Sequence, residues 1–447
     1  MLTPEEATLF TDLYELTMLQ SYVRHGMLGE AVFDLFVRTL PERRNFLLAG
    51  GLDDVLTYLE ELRFDGESLD YLRSLGTFDD AFLAYLRDLR FTGSVRAMRE
   101  GTPVFGEQPI IEVSAPLPQA QLIETYLLNQ VSFQTMIAAK GVRTIEVARG
   151  LPVIDFGARR MHGTDAAMKA ARMLYMVGFA STSNVLAGKR YGIPVAGTMA
   201  HSYIEAHDSE LAAFRDFAGD YPSTILLVDT YDTLDGVRNV IDLARELRDE
   251  FHVSAVRLDS GDLVELAKQA RRILDDAGLR EVGIVVSGGL DEYAVERMLE
   301  LGAPIASVAV GTNVGVSADA PKVDSAYKLV SYAGTGRMKL STDKMTLPGA
   351  KQVYRRFEGG VAAGDTIGLP GEQGLGEPLL VDVMRDGKRL SAGRATLDQS
   401  REHARASIAA LPDRLRWLTP AEPPYEVAVS DALRARAERL RDELSRR

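Results

Sequence analysis

The chain contains six histidines: His25, His162, His201, His207, His252 and His403. Of these, His201 has the most suggestive setting. It follows the apolar run 193–196 within Gly197-Thr-Met-Ala-His-Ser-Tyr. A neutral imidazole at a strand end can attack a phosphoryl group; a structural histidine is the alternative. His162, close to Arg159 and Arg160, is placed to bind phosphate instead. No His-x-x-x-His spacing occurs, so a histidine metal cluster is not indicated.

Arg257 and Asp259 lie two apart at the end of an apolar run, so their side chains point to one side of a strand. Inward charge is costly unless paired or used. Two readings fit: a mutual structural ion pair, or an arginine gripping a carboxylate while the aspartate accepts ribose hydroxyls. Ser287-Gly288-Gly289 and Gly311-Thr312 also follow apolar runs. Such turns are either ordinary connections or a phosphate cup built from backbone N–H groups. Tyr14 and Phe156 could sandwich a flat ring, against a default of core packing. No P-loop and no dinucleotide fingerprint is present.

The elements that must position these residues are legible. Apolar runs at 153–156, 193–196, 225–228, 255–258, 282–286 and 305–310 alternate with helical periods such as Val237, Val240, Ile241, Ala244, Leu247. Further strands are expected near 178–180 and 327–331. This alternation predicts a parallel sheet with helices outside. Polar and glycine residues recur at the run ends, where a β/α barrel carries its active site. The stretch 152–331 is short against the roughly 250 residues of an ordinary barrel, so the barrel should be irregular. The fold class is therefore α/β: an irregular parallel β/α barrel at 151–334, plus a β-containing α+β domain formed from flanks 1–150 and 335–447. The tail 431–447 reads as a charged surface helix.

Composition narrows the function further. With 447 residues, 46% of them hydrophobic, the chain can bury a sizeable core. The absence of cysteine excludes disulfides, thiolate zinc sites and cysteine nucleophiles, and fits a cytoplasmic location. No secretory signal and no membrane-length apolar run is visible. A net charge of −13 argues against nucleic-acid binding. Residues 140–172 run the other way, with seven Lys and Arg against three acidic residues. Solvated helix faces account for most of these cations, with Arg159 and Arg160 as exceptions because they follow a strand.

Six blocks, in order, resemble the nicotinate phosphoribosyltransferase family along nearly the whole chain: Thr11-Asp-Leu-Tyr-Glu-Leu-Thr-Met, Asp155-Phe-Gly-Ala-Arg-Arg, Thr182-Ser-Asn-Val, Gly197-Thr-Met-Ala-His-Ser, Val256-Arg-Leu-Asp-Ser-Gly-Asp-Leu and Val310-Gly-Thr. The resemblance implies transfer of phosphoribosyl from phosphoribosyl pyrophosphate to nicotinate, with ligase-type coupling to ATP through a phosphohistidine, in NAD salvage. It implies Mg²⁺ and a homodimer with shared active sites. His201 matches the phosphorylated histidine. Tyr14 matches a ring-binding tyrosine from the neighbouring subunit, and Phe156 the aromatic on the opposite ring face. Arg257 and Thr198 match the nicotinate carboxylate subsite. Arg159 and Asp259 match residues that hold the phosphoribosyl substrate. Ser287, Gly288, Gly289, Gly311 and Thr312 fall at the 5′-phosphate cup. Enzymes acting on nicotinamide place an aspartate where Ser183 stands, so serine implies the acid as substrate. Rival readings are a nicotinamide enzyme, a quinolinate enzyme, a noncatalytic nucleotide sensor, and a Schiff-base aldolase, which would need a strand-end lysine.

Overall fold

The barrel strands are short and buried, as expected when helices cover a parallel sheet. In the computed structural model, which describes residues 2–340 and 346–446, they are β1 (Val153–Asp155), β2 (Ser181–Thr182), β3 (Ile225–Leu227), β4 (Ala255–Leu258), β5 (Gly283–Val286) and β6 (Ser307–Val310). All pair in parallel in the order β2-β1-β6-β5-β4-β3. The last strand thus pairs with the first, which curls the sheet into a ring. Beyond β2, only an isolated bridge between Thr182 and Val195 extends it. Among the described residues no ladder joins that segment to β3, so the ring has one open seam.

The seam explains a departure from expectation. The run 193–196 forms no strand, although Thr182 N–H donates to Pro194 O and Ala196 N–H to Thr182 O. Pro194 has no N–H to give a ladder, and Gly197 follows at once. The strand expected near 178–180 begins instead at Ser181.

Outside the strands, aspartates start the helices. Asp232 accepts from Leu234 N–H and Asp235 N–H at the head of Thr233–Leu247. Asp262 caps Leu263–Asp276 and Asp291 caps Glu292–Glu300. These caps let each chain segment turn from a strand end into a helix within a few residues.

The compact unit holding this barrel is Lys140–Asp319; the other unit joins Met1–Ala139 to Ala320–Arg447. The divisions fall at 139/140 and 319/320 rather than at 150/151 and 334/335. The segment near 327–331 is not a barrel strand. It belongs to Ser325–Tyr332, which pairs antiparallel with Glu30–Val37 in a seven-stranded sheet drawn from both flanks. Tyr327 explains the choice: its ring stacks on Phe33 at 4.8 Å and its buried hydroxyl donates to Ala120 O at 2.8 Å. A four-stranded sheet around Gln352–Glu358 and Val361–Gly368 completes this α+β unit. The charged tail forms the helix Asp431–Ser445.

A second correction concerns the basic stretch. Lys140, Arg143, Lys169 and Arg172 are buried rather than solvated. Lys140 Nζ lies 2.5 Å from Glu292 and 2.7 Å from Asp319, and Arg143 Nε lies 2.9 Å from Glu292. Glu292 is itself fully buried, so its charge must be compensated by these cations. Among the described residues no helix is long and apolar enough to cross a membrane.

Candidate active site

The barrel gathers most of the predicted chemistry at one end. Strand β4 delivers Arg257, and Asp259 follows its last residue. The Arg257 guanidinium is almost fully engaged. Its Nε donates to Ser287 Oγ at 2.9 Å, one terminal nitrogen donates to Thr198 Oγ1 at 2.7 Å and Met199 O at 3.3 Å, and the other donates to Asp259 Oδ1 at 2.8 Å. A guanidinium has five N–H groups, so about one is left uncommitted. The Phe156 ring lies beside it, with the guanidinium carbon 5.5 Å from the ring centroid. Phe156 directly follows β1 and is tied in by its N–H to Val310 O at 2.7 Å.

A cavity of about 430 Å³ opens over this arrangement. Phe156, Arg159, Ser183, Thr198, His201, Arg257 and Asp259 all line it. The remaining lining comes from Ala158, the segment Gly197, Met199 and Ala200, and Leu227. The cavity therefore sits against the open seam, where 197–201 takes the place of a regular strand. It is mouth-like rather than sealed, with a side-chain exposure of 12% for Arg257 and 30% for Asp259.

The Asp259 carboxyl is held below the usual carboxylate range. Burial works against its ionisation, but hydrogen bonds from Arg257 and Ser287, and the Arg257 charge, outweigh burial. Asp229 supports it from the next strand: its Oδ2 accepts from Asp259 N–H at 2.9 Å and Ser260 Oγ at 2.7 Å. Asp155, at the end of β1, is the opposite case. Burial raises it, although Gly157 N–H and Thr182 Oγ1 both donate to it. It braces the turn that carries Phe156 and Arg159 and is not part of the cavity lining.

His201 opens the short helix His201–Glu205. Its Nδ1 lies 3.1 Å from Thr230 Oγ1. When Thr230 accepts from Nδ1–H, Nε2 keeps its lone pair and is the ring nitrogen left to react.

The glycine turns lie beside the cavity lining. Ser287, at the end of β5, bonds both Arg257 and Asp259. Gly288 has φ +92°, and a Cβ there would meet Asp259 O at 1.8 Å, so only glycine fits. Asn313 Nδ2 donates to Gly289 O at 2.6 Å, tying this turn to the Gly311-Thr312 turn after β6. Arg160 and His162 are exposed and are not among the cavity residues. Tyr14 belongs to the other compact unit, 47% exposed on the helix Leu13–Arg24.

Thr230, Asp229, Asp155 and Asn313 were given no role by sequence reasoning. The available signal was position: the first three follow or end an apolar run, where polar residues face the barrel mouth.

The comparisons with known proteins bear on the fold and the family. A family model described as the nicotinate phosphoribosyltransferase (NAPRTase) N-terminal domain matches residues 9–132, and the NAPRTase family model matches 151–316. A nicotinate phosphoribosyltransferase of Mycobacterium tuberculosis is 53% identical over 433 residues, spanning 97% of this chain and 94% of the relative. That of Bacillus subtilis is 42% identical, spanning 83% and 77%. The crystal structure of human nicotinic acid phosphoribosyltransferase superposes with a TM-score of 0.85 at 30% identity, over 96% of this chain and 99% of that one.

Proposed function

Because the chain belongs to the nicotinate phosphoribosyltransferase family, we propose that it joins nicotinate to the phosphoribosyl group of phosphoribosyl pyrophosphate. The products are nicotinate mononucleotide and pyrophosphate, and the setting is NAD salvage in the cytoplasm. The observation that carries this reading is the Arg257 guanidinium, braced by Thr198, Ser287 and Asp259 in a cavity whose edge residue at 183 is serine. An arginine with a free N–H attracts the nicotinate carboxylate, and Ser183 does not repel it.

In the transfer, the nicotinate ring nitrogen forms a bond to ribose C1 as the C1–O bond to pyrophosphate breaks. Positive charge grows on the ribose. An ionised Asp259 suits both that charge and the ribose hydroxyls. Arg159 and the Ser287–Gly289 and Gly311-Thr312 turns are the groups assigned to the phosphates. Among the described residues no group of three or more candidate ligands could hold a metal ion, and Asp259 is the single carboxylate lining the cavity. A Mg²⁺ ion there would be held chiefly by substrate oxygens and water, with Asp259 the carboxylate at hand, and would neutralise the leaving pyrophosphate.

ATP enters through His201. Its Nε2 attacks the γ-phosphorus, the bond to ADP breaks, and water later cleaves the phosphohistidine to return imidazole and phosphate. The Thr230 contact supports this by occupying Nδ1. Phe156 is the only aromatic side chain besides His201 among the lining residues, so a ring sandwich requires a second aromatic from elsewhere. Tyr14 of a second copy is the proposed source, which makes the enzyme a homodimer with shared sites.

The test is pyrophosphate release with nicotinate, nicotinamide and quinolinate in turn, each with and without ATP. Nicotinate alone should support turnover, and faster with ATP. Turnover on nicotinamide but not nicotinate would overturn the substrate assignment.

A further inference from the structure

The α+β unit contains two adjoining cavities that the transfer reaction does not use. Their volumes are about 330 and about 390 Å³, and Arg99 and His403 line both. The helix Leu397–Ala409 forms a common wall. It lies directly on the Arg99–Thr102 turn: a Cβ on Gly101 would stand 2.6 Å from the Ala404 Cβ.

The charges in the two cavities differ in how they are spent. In the first, both carboxylates are committed. Asp53 pairs with Arg389 at 2.7 Å, and Glu100 Oε1 accepts from Gly51 N–H at 2.9 Å and Leu52 N–H at 3.1 Å. In the second, the cation of Arg355 is committed to Asp365 at 2.7 Å, while Glu377 is exposed and its side chain makes no hydrogen bond among the described residues. The exposed side chain of Arg99, between them, forms no hydrogen bond or ion pair among the described residues. The first cavity therefore presents an unspent cation without an unspent carboxylate.

Neutral donors surround it. Ser400 is only 3% exposed, yet its hydroxyl makes no hydrogen bond among the described residues. The Gln399 side-chain oxygen accepts from Thr396 N–H at 2.9 Å, and its amide N–H groups make no hydrogen bond among the described residues. His403 Nε2 sits 2.9 Å from Thr102 Oγ1 and 3.4 Å from Ser407 Oγ, so Nδ1 is the open ring nitrogen.

We propose that the first cavity is a binding site for a small anionic metabolite bearing a carboxylate or phosphoryl group, held by Arg99 with Ser400, Gln399 and His403 as neutral donors. Its volume lies in the range of small-molecule sites. Burial, then the Arg99 and Arg355 charges, push the His403 imidazole below its ordinary value, and a bound anion would relieve the charge part. The site shares no residue with the barrel mouth, so it is a place for an effector rather than for the reacting groups.

The test is NMR of the full chain carrying ring-¹³C histidine, with the His403 signal identified by its loss in His403→Gln. Inorganic phosphate, succinate and glycerol are titrated separately. A saturable shift of the His403 signal with phosphate or succinate, and none with glycerol, is expected; which anion acts identifies the group recognised. Arg99→Ala should weaken that response about tenfold or more, and Arg99→Lys should retain part of it. In both variants nicotinate turnover should be unchanged, so failure here is distinguishable from failure of the transfer reading. No saturable shift with either anion, or an equal shift in Arg99→Ala, would overturn the proposal.

Discussion

Two sets of paired charges in the barrel unit are chemically alike and structurally opposite. Arg257 and Asp259 stand at the end of β4, part-exposed, lining a cavity, with a guanidinium N–H to spare. Lys140, Arg143 and Glu292 sit on helices, buried, and none of them lines that cavity. A buried set away from the barrel mouth holds helices in place. A braced pair that faces solvent through a mouth is available to a ligand. Exposure and location, rather than the ion pair itself, separate structure from function here.

The largest effect should come from the buried set. Glu292→Ala removes the buried carboxylate that Lys140 and Arg143 share, leaving Asp319 as the carboxylate beside Lys140, and should cost about 3–5 kcal/mol in urea unfolding. Asp259→Asn should instead cost little stability and lower kcat/KM by roughly 10²–10³-fold in steady-state assays. If Glu292→Ala unfolds at the wild-type urea midpoint, the structural half of the contrast fails. Thr230→Val removes the Nδ1 partner of His201. It should reduce the stimulation by ATP while leaving the ATP-independent rate nearly unchanged, and Thr230→Ser should restore the stimulation.

The two strand-end aspartates sharpen the contrast through pH. Asp155 has a raised folded-state value, so its contribution is fully present below the ordinary carboxylate range and is lost as pH rises through the folded value. Asp259 has a lowered value, so its contribution is present above that range and is lost as pH falls through the folded value. Relative to wild type, Asp155→Asn should therefore gain stability as pH rises above about 4, and Asp259→Asn should lose it as pH rises toward about 4. Urea midpoints measured from acid to neutral pH check both signs; parallel trends for the two variants would show that the contrast is misassigned.

The smallest effect concerns the proposed sharing of sites between two copies. Mixing Tyr14→Ala with His201→Asn should recover up to about a quarter of wild-type activity, because half of the dimers then carry one intact site. No recovery after verified subunit exchange would argue that Tyr14 serves no partner.

The mouth was more legible in the sequence than the buried set, for a physical reason. Parallel strands covered on both faces read as apolar runs, so the polar residues ending them, such as Asp259 and Ser287, declare their position. Arg143 and Glu292 are 149 residues apart, and nothing local tells a buried helical cation from a solvated one. The same limit misplaced Tyr327, whose strand reads as apolar whichever sheet receives it. Pro194 was visible, but 193–196 reads as one more apolar run, and the broken strand at the seam shows only in the structure. The contact between Thr230 and His201 depends on a loop geometry that spacing does not encode.

The most direct test of the central claim is steady-state kinetics of Arg257→Lys with nicotinate, alongside its urea midpoint. Lysine keeps the charge and loses the fork that bonds Thr198, Ser287 and Asp259 at once. The account predicts a fall in kcat/KM of roughly 10–150-fold with a near-wild-type midpoint. An Arg257→Lys enzyme that unfolds early but turns over nicotinate normally would mean that the pair at the barrel mouth is structural after all.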